Sequence, residues 1–252
     1  MTVVPTVINA CDQAVDQGLK ILVHGFAGAG KTRLCATTGD LERTLIISAE
    51  AGLLSLRQIA VPTVTVRSLA DLQGIYRWLA GERPGYHWLC LDSLSEIAEV
   101  VLAAEKAVTR DPRQAYGALQ DRMLALVKSF RDLPGYHVVM TCKSERVKDD
   151  ATGSLLTVPL LPGQKLAQHL PYLFDEVLYL RVFQEVDPDG QPIISRALQT
   201  QRDAQTEAKD RSGALALFEP PDLARLYARI HGQPDTEPAP APAVPEAQPD
   251  LT

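Results

Sequence analysis

The sequence predicts an α/β fold, with a mostly parallel central sheet flanked by helices and a C-terminal antiparallel hairpin. Three observations carry this. Short apolar runs alternate with helix-length stretches from Leu19 to Thr141, and a glycine-rich octapeptide directly follows the first run. Further on, Asp187-Pro188-Asp189-Gly190 separates two strand-like segments with strong turn chemistry.

The elements follow in order. Apolar runs at 19–24, 44–48, 63–66, 87–91 and 136–141 suit strands buried on both faces. The chain from Thr32 to Thr38 can carry a helical turn or two before Gly39-Asp40. Ser68 followed by Asp71 opens a second helix with a capping pattern, running to about Ala80 before Gly81. Ser93 to Val108 and Pro112 to Arg131 read as two more, parted by Arg110-Asp111-Pro112. The spacing of Leu119, Met123, Leu126, Val127 and Phe130 marks a core face. Ser144 to Lys165 reads as a long loop. Glu176 to Phe183 and Pro192 to Gln199 form the hairpin, and Pro221 to Ile230 a final helix. The domain reading is an N-terminal segment (1–18), one nucleotide-binding unit (19–231) and an acidic Pro/Ala-rich tail (232–252), with Thr2 to Ile8 a candidate exchanged strand.

Composition sets outer limits. At 252 residues, with 46% hydrophobic and 22% charged, the chain is of ordinary globular type. No apolar run reaches membrane-span length and no leader pattern opens the chain, so a cytoplasmic protein without membrane contact is expected. Cys11, Cys35, Cys90 and Cys142 lie far apart, which fits reduced, buried thiols. The five histidines have no ligand spacing. Four acids and no Lys or Arg lie from Gly232 onward; taken from the net charge of −6 they leave −2. That balance neither requires nor excludes a nucleic-acid face. The tail, with six prolines among 234–249, reads as disordered, either plainly solubilising or a lure for protein partners.

The octapeptide Gly25-Phe26-Ala27-Gly28-Ala29-Gly30-Lys31-Thr32 satisfies G-x-x-x-x-G-K-[ST], a loop that wraps backbone N–H groups around nucleotide phosphates. The glycines allow backbone conformations that a Cβ would block. Lys31 brings a point charge to the β/γ-phosphates, and the Thr32 hydroxyl can ligate Mg²⁺. Arg33 follows at the start of the helix, whose positive dipole end favours the anion. Trp88 to Asp92 is an apolar run ending in a carboxylate, where open parallel sheets place ligands and where such proteins keep the acid that orients Mg²⁺. Glu50, after the strand 44–48, is a candidate base for the attacking water or else a surface acid. Glu96 and Glu99, one helical turn apart, are given no role.

Ile47-Ser48-Ala49-Glu50-Ala51 and Leu91-Asp92-Ser93-Leu94 resemble the glutamate and Mg²⁺ segments of RecA-type recombinases. The span from about 19 to 218 resembles phage-encoded RecA-like ATPases, described as AAA-family nucleotide-binding or single-strand annealing proteins. Residues 24–32, 48–53, 92–99, 111–117 and 209–215 carry the resemblance. It implies ATP and Mg²⁺ as cofactors, and catalytic roles for Lys31, Glu50 and Asp92. A γ-phosphate sensor falls at Thr141, Cys142 or Lys143; the family's usual Asn-Gln pair is absent, and Lys143 stands at the glutamine position as a further catalytic candidate, able to bring its charge directly to the transition state. The resemblance also implies two single-stranded DNA loops, one with Arg110, Arg113, Gln114 and Tyr116, the other with Arg146, Lys148 and Lys165. The second loop carries no aromatic, and could equally be a lid or subunit contact. Lys209 and Arg211 are candidates for reaching a neighbouring subunit's nucleotide, or else a solvated basic turn. A homo-oligomeric ring or filament follows.

The leading expectation is an ATP-hydrolysing protein acting on single-stranded DNA in phage recombination or replication. A nucleotide-dependent regulatory switch and a P-loop small-molecule kinase are the alternatives.

Overall fold

The computed structural model describes residues 18–50, 53–148, 153–186 and 190–233. The expected acidic tail beyond Gln233, the segment at Thr2–Ile8 and most of the Asp187–Gly190 turn lie outside them.

Ten strands form one sheet. They are β1 (Lys20–Gly25), β2 (Thr44–Ser48), β3 (Thr63–Thr65), β4 (Trp88–Asp92), β5 (His137–Lys148), β6 (Leu155–Leu160), β7 (Glu176–Val186), β8 (Pro192–Gln199), β9 (Lys209–Asp210) and β10 (Phe218–Glu219). Their order is β10-β8-β7-β1-β5-β4-β2-β3, with β6 added to β5 and β9 to β7. The six strands from β3 across to β7 run parallel. β1, β2 and β4 are buried throughout, which is why they appear in the sequence as unbroken apolar runs.

Six helices cover the two faces: α1 (Lys31–Leu34), α2 (Leu69–Glu82), α3 (Leu94–Val108), α4 (Pro112–Arg131), α5 (Gln164–His169) and α6 (Leu223–Ile230). On one face α2 to α5 bury Leu72, Ile97, Leu119, Met123, Phe130 and Leu166 against the sheet. On the other, Leu34 and Cys35 pack with Leu223 and Leu226 of α6. The helix starts are chemically determined. Ser68 and Asp71 make a reciprocal capping box on α2, and Asp111 caps α4 ahead of Pro112.

The helix after the glycine loop is a single turn, the short end of the expected one or two, because the chain beyond it turns to hold α6. Thr37 accepts there from Ala224 N and, through its hydroxyl, from Leu223 N at 2.9 Å. The stretch Ser144–Lys165 is not a loop. β5 runs on to Lys148 and pairs antiparallel with β6, so Lys143 faces Leu160 and Lys148 faces Leu155 before α5 begins. Pairing satisfies the backbone there; Arg146 and Lys148 are exposed on β5, while Leu156, Thr157 and Pro159 of β6 are buried.

Buried ionisable groups tie stability to pH. Glu176, at the start of β7, is 1% exposed; its Oε1 accepts from Ser212 N at 3.1 Å and its Oε2 has no hydrogen-bond partner among the described residues. Burial, with Asp210 opposite it, pushes its carboxyl up to about 7. Burial pulls both His24 and His137 down to about 4. The two histidines are neutral when folded, so their contribution is full above about 6.5 and fades as pH falls towards 4. Glu176 works in the opposite sense: its contribution is full below about 4.5 and is lost as pH rises through about 7. Glu176→Gln, which resembles the protonated acid, should therefore melt several degrees above the parent at pH 8. That gap should close at pH 5, as checked by thermal melts at the two values.

Candidate functional site

The carboxyl ends of β1, β2 and β4 meet beside the middle of β5, and each of the four strands delivers a polar group. β1 ends at Gly25, where an added Cβ would stand 3.1 Å from the Leu180 carbonyl, so the loop leaves the sheet in tight contact with β7. Gly30 has φ 108°, a left-handed conformation that suits glycine, and it caps α1. Lys31 then turns back over the loop. Its ammonium donates to the carbonyls of Gly25 (2.8 Å) and Phe26 (3.2 Å). Burial lowers its pKa, while the charges of Glu50 and Asp92 act in the raising direction. All three charged groups thus share one electrostatic field.

Asp92 is 1% exposed at the end of β4. Thr32 Oγ1 donates to its Oδ2 at 2.7 Å, and Thr141 Oγ1, from β5, donates to its Oδ1 at 2.5 Å. Glu50 leaves β2 beside it: Ala49 N donates to the Asp92 carbonyl, and Ser93 Oγ donates to Glu50 Oε1 at 2.8 Å. Ser93 also begins α3, its hydroxyl accepting from Glu96 N.

Lys31, Thr32, Glu50 and Asp92 are therefore brought together. Lys143 lies next to them on β5, with its ammonium bonded to Glu96, which raises its pKa, and its backbone N–H donating to Ser95 Oγ at 2.9 Å. Glu96 thus holds a lysine that the sequence left without a partner. Phe26, 37% exposed, lies under the Arg146 guanidinium at 5.6 Å and edge-on to Tyr179. Ala27, Gly28 and Ala29 complete the loop, and Arg33 falls within α1.

The expected DNA contacts sit in two places. Arg110 precedes α4, whereas Arg113 and Tyr116 lie on its first turns, with the Lys106 ammonium 5.8 Å from the Tyr116 ring. Lys165 starts α5 near them, since Gly163 packs on Tyr116. Arg146 and Lys148 lie instead on the β5–β6 ribbon. Lys209 donates to the carbonyls of Pro171 (2.7 Å) and Phe174, and burial lowers its pKa. Arg211 pairs with Asp175 at 2.7 Å. Within this chain both expected fingers have internal partners.

Several participants were not assigned from sequence. Thr141 is one of three sensor candidates, and Ser93 enters the sequence reading only as the start of a helix after Asp92. Arg196 of β8 donates from Nε to the Ala29 carbonyl at 3.0 Å. Its signal was alternation: it shares a strand face with Leu198, which is buried. His24 is wholly buried, with Nε2 against the Glu207 carbonyl (2.7 Å) and Nδ1 against Ser144 Oγ (2.9 Å). A carbonyl only accepts, so Nε2 carries the proton and Nδ1 accepts from Ser144.

The donor set fits a magnesium nucleotide. A threonine hydroxyl and a buried carboxylate are hard oxygen ligands already 2.7 Å apart. Lys31 rests on two loop carbonyls, which a phosphate oxygen can replace, and a Cβ at Gly28 would meet nothing within 4 Å, so the loop apex is open.

The Thr141–Asp92 bond provides a check on this arrangement. Thr141→Val keeps the shape but leaves Asp92 Oδ1 without this donor in a buried setting, and should cost about 1–3 kcal/mol. Urea denaturation of the two proteins measures it.

Among the described residues no helix is long and apolar enough to cross a membrane. No curated protein is significantly similar in sequence. Among solved structures, a KaiC-like protein of the hyperthermophilic archaeon Pyrococcus horikoshii OT3 aligns at 14% identity and a TM-score of 0.40, over 77% of this chain and 83% of that one. Residues 17–212, well over half of the chain, match the AAA domain family. The chain belongs to the AAA domain family, of the P-loop ATPase type.

Proposed function

We propose that this protein hydrolyses ATP with Mg²⁺ and acts on single-stranded DNA, in the setting of phage recombination or replication. The observation that carries the hydrolytic part is the convergence of Lys31, Thr32, Asp92 and Glu50 at the carboxyl ends of β1, β2 and β4, with Thr32 bonded to Asp92, Glu50 bonded to the adjoining Ser93, and Lys31 within the field of both acids.

In this reading each side chain has one task. Lys31 leaves its two loop carbonyls to bind the β/γ-phosphate oxygens. Thr32 and Asp92 would hold the metal, with Thr141 fixing the Asp92 carboxylate through its other oxygen. Mg²⁺, when bound, would supply positive charge against the phosphates. Glu50, oriented by Ser93, accepts a proton from the attacking water. Lys143 serves as a second cation at the crevice, positioned by Glu96.

The DNA reading rests on the basic residues placed next to this crevice. Arg146 stacks on Phe26 of the phosphate loop, so a change in the loop bears on the ribbon that also carries Lys148. Arg110, Arg113, Tyr116 and Lys165 form a second group, with an exposed ring able to stack on a base. A homo-oligomeric ring or filament would align such groups from neighbouring copies, and the acidic tail is proposed as a site for protein partners.

The test is ATP turnover with and without oligonucleotide. Lys31→Ala should abolish turnover. Glu50→Gln should keep nucleotide binding and lose about 10²-fold or more in rate, the usual worth of a positioned base. Single-stranded DNA should accelerate the parent. Turnover that stays flat across a DNA titration at low salt would remove the DNA half of the proposal, and full activity in Glu50→Gln would remove that residue's role.

A further inference from the structure

We infer that Arg196 is a positioning residue that holds the phosphate loop open for an anion from within the same chain; this rests on the nucleotide reading above. The residue lies on β8 opposite Val182 of β7. On the same strand face, two residues on, Leu198 is buried beside Leu180 and Leu34 in the core under α1. That alignment carries the Arg196 side chain over the outside of the loop. Its Nε donates to the Ala29 carbonyl at 3.0 Å, and its Nε and Cδ lie 3.7 and 3.8 Å from where a Gly30 Cβ would stand.

The geometry of one peptide gives this bond its effect. In a planar trans peptide the C=O and the following N–H point in opposite directions. Holding the Ala29 carbonyl outward, towards Arg196, aims the Gly30 N–H the other way, into the concave side of the loop. A cationic donor on the carbonyl also polarises the peptide and strengthens its N–H as a donor. Arg196 thus orients one of the amides that surround a phosphate before any phosphate arrives. Lys143, the cation next to the loop on β5, is by contrast bonded to Glu96. Arg196 makes no ion pair among the described residues, so its charge adds to that of Lys31 in the field of the loop.

The experiment is a titration with a fluorescent ATP analogue and its ADP counterpart, in Mg²⁺, of the full-length protein and of Arg196→Ala, Arg196→Lys and Lys31→Ala. The melting temperature of each is measured without nucleotide. Arg196→Ala should bind both analogues about tenfold or more weakly, in line with loss of a charged hydrogen bond. Its melting point should stay within about 2 °C of the parent, since the side chain is exposed. Arg196→Lys, which keeps the charge but lacks the planar fork, should recover only part of the affinity. Unchanged affinity in Arg196→Ala, with binding lost in Lys31→Ala, overturns the role of Arg196 and leaves the nucleotide reading standing. Weakened binding accompanied by a matching fall in the melting point of both Arg196 variants also overturns it. Binding that survives Lys31→Ala sinks the nucleotide reading itself.

Discussion

A carboxylate removed from water must be given donors, and Asp92 is the residue around which this is arranged. Its two oxygens are met by hydroxyls from different elements, Thr32 from the turn after β1 and Thr141 from β5. Each of those strands is held by its neighbours through parallel pairing, so the donors arrive at fixed heights. An unpaired buried carboxylate would cost several kcal/mol. The strand order, the glycine loop and the single-turn helix that presents Thr32 all serve to avoid that cost. The same arrangement leaves a donor set suited to a hard cation once a phosphate is present.

Around this centre the molecule is divided by polarity. β1, β2 and β4 are sealed on both faces, by α2 to α5 on one side and by α1 and α6 on the other. At the carboxyl ends the sheet opens into charged ribbons. There His24 links β1 to β5 through Ser144 and to the segment before β9 through the Glu207 carbonyl. Its ring is neutral because burial holds its pKa far below the usual histidine range. A neutral ring with one proton fixes which nitrogen donates and which accepts. The sequence could not reveal this, because it depends on a partner more than a hundred residues away.

What the sequence made legible follows from burial. β1, β2 and β4 are apolar along their length because helices cover both faces, so they could be placed to within a residue. Ser68 with Asp71 and Asp111 with Pro112 located their helices because caps act locally. The glycine loop and the carboxylates at 50 and 92 were visible because residue type and strand end together carry the chemistry. The β5–β6 pairing was not legible, because each residue's partner lies across the intervening chain and the register is set by packing rather than by residue type. Arg196 was hidden for a different reason: its partner is a backbone carbonyl, which every residue possesses. Lys209 and Glu96 were obscured likewise, because their engagement depends on long-range packing.

One strand lies between the two halves of the crevice. β5 pairs with β1 along one edge and with β4 along the other, and past the sheet it continues into the arm it shares with β6. The arm is tied down beyond Thr141: Ser144 Oγ donates to His24 Nδ1, and Thr157 of β6 exchanges backbone bonds with Gln205 and Glu207. Because the same strand carries Thr141 onto the Asp92 carboxylate, it sets the separation between the loop that holds Lys31 and the acid across from it.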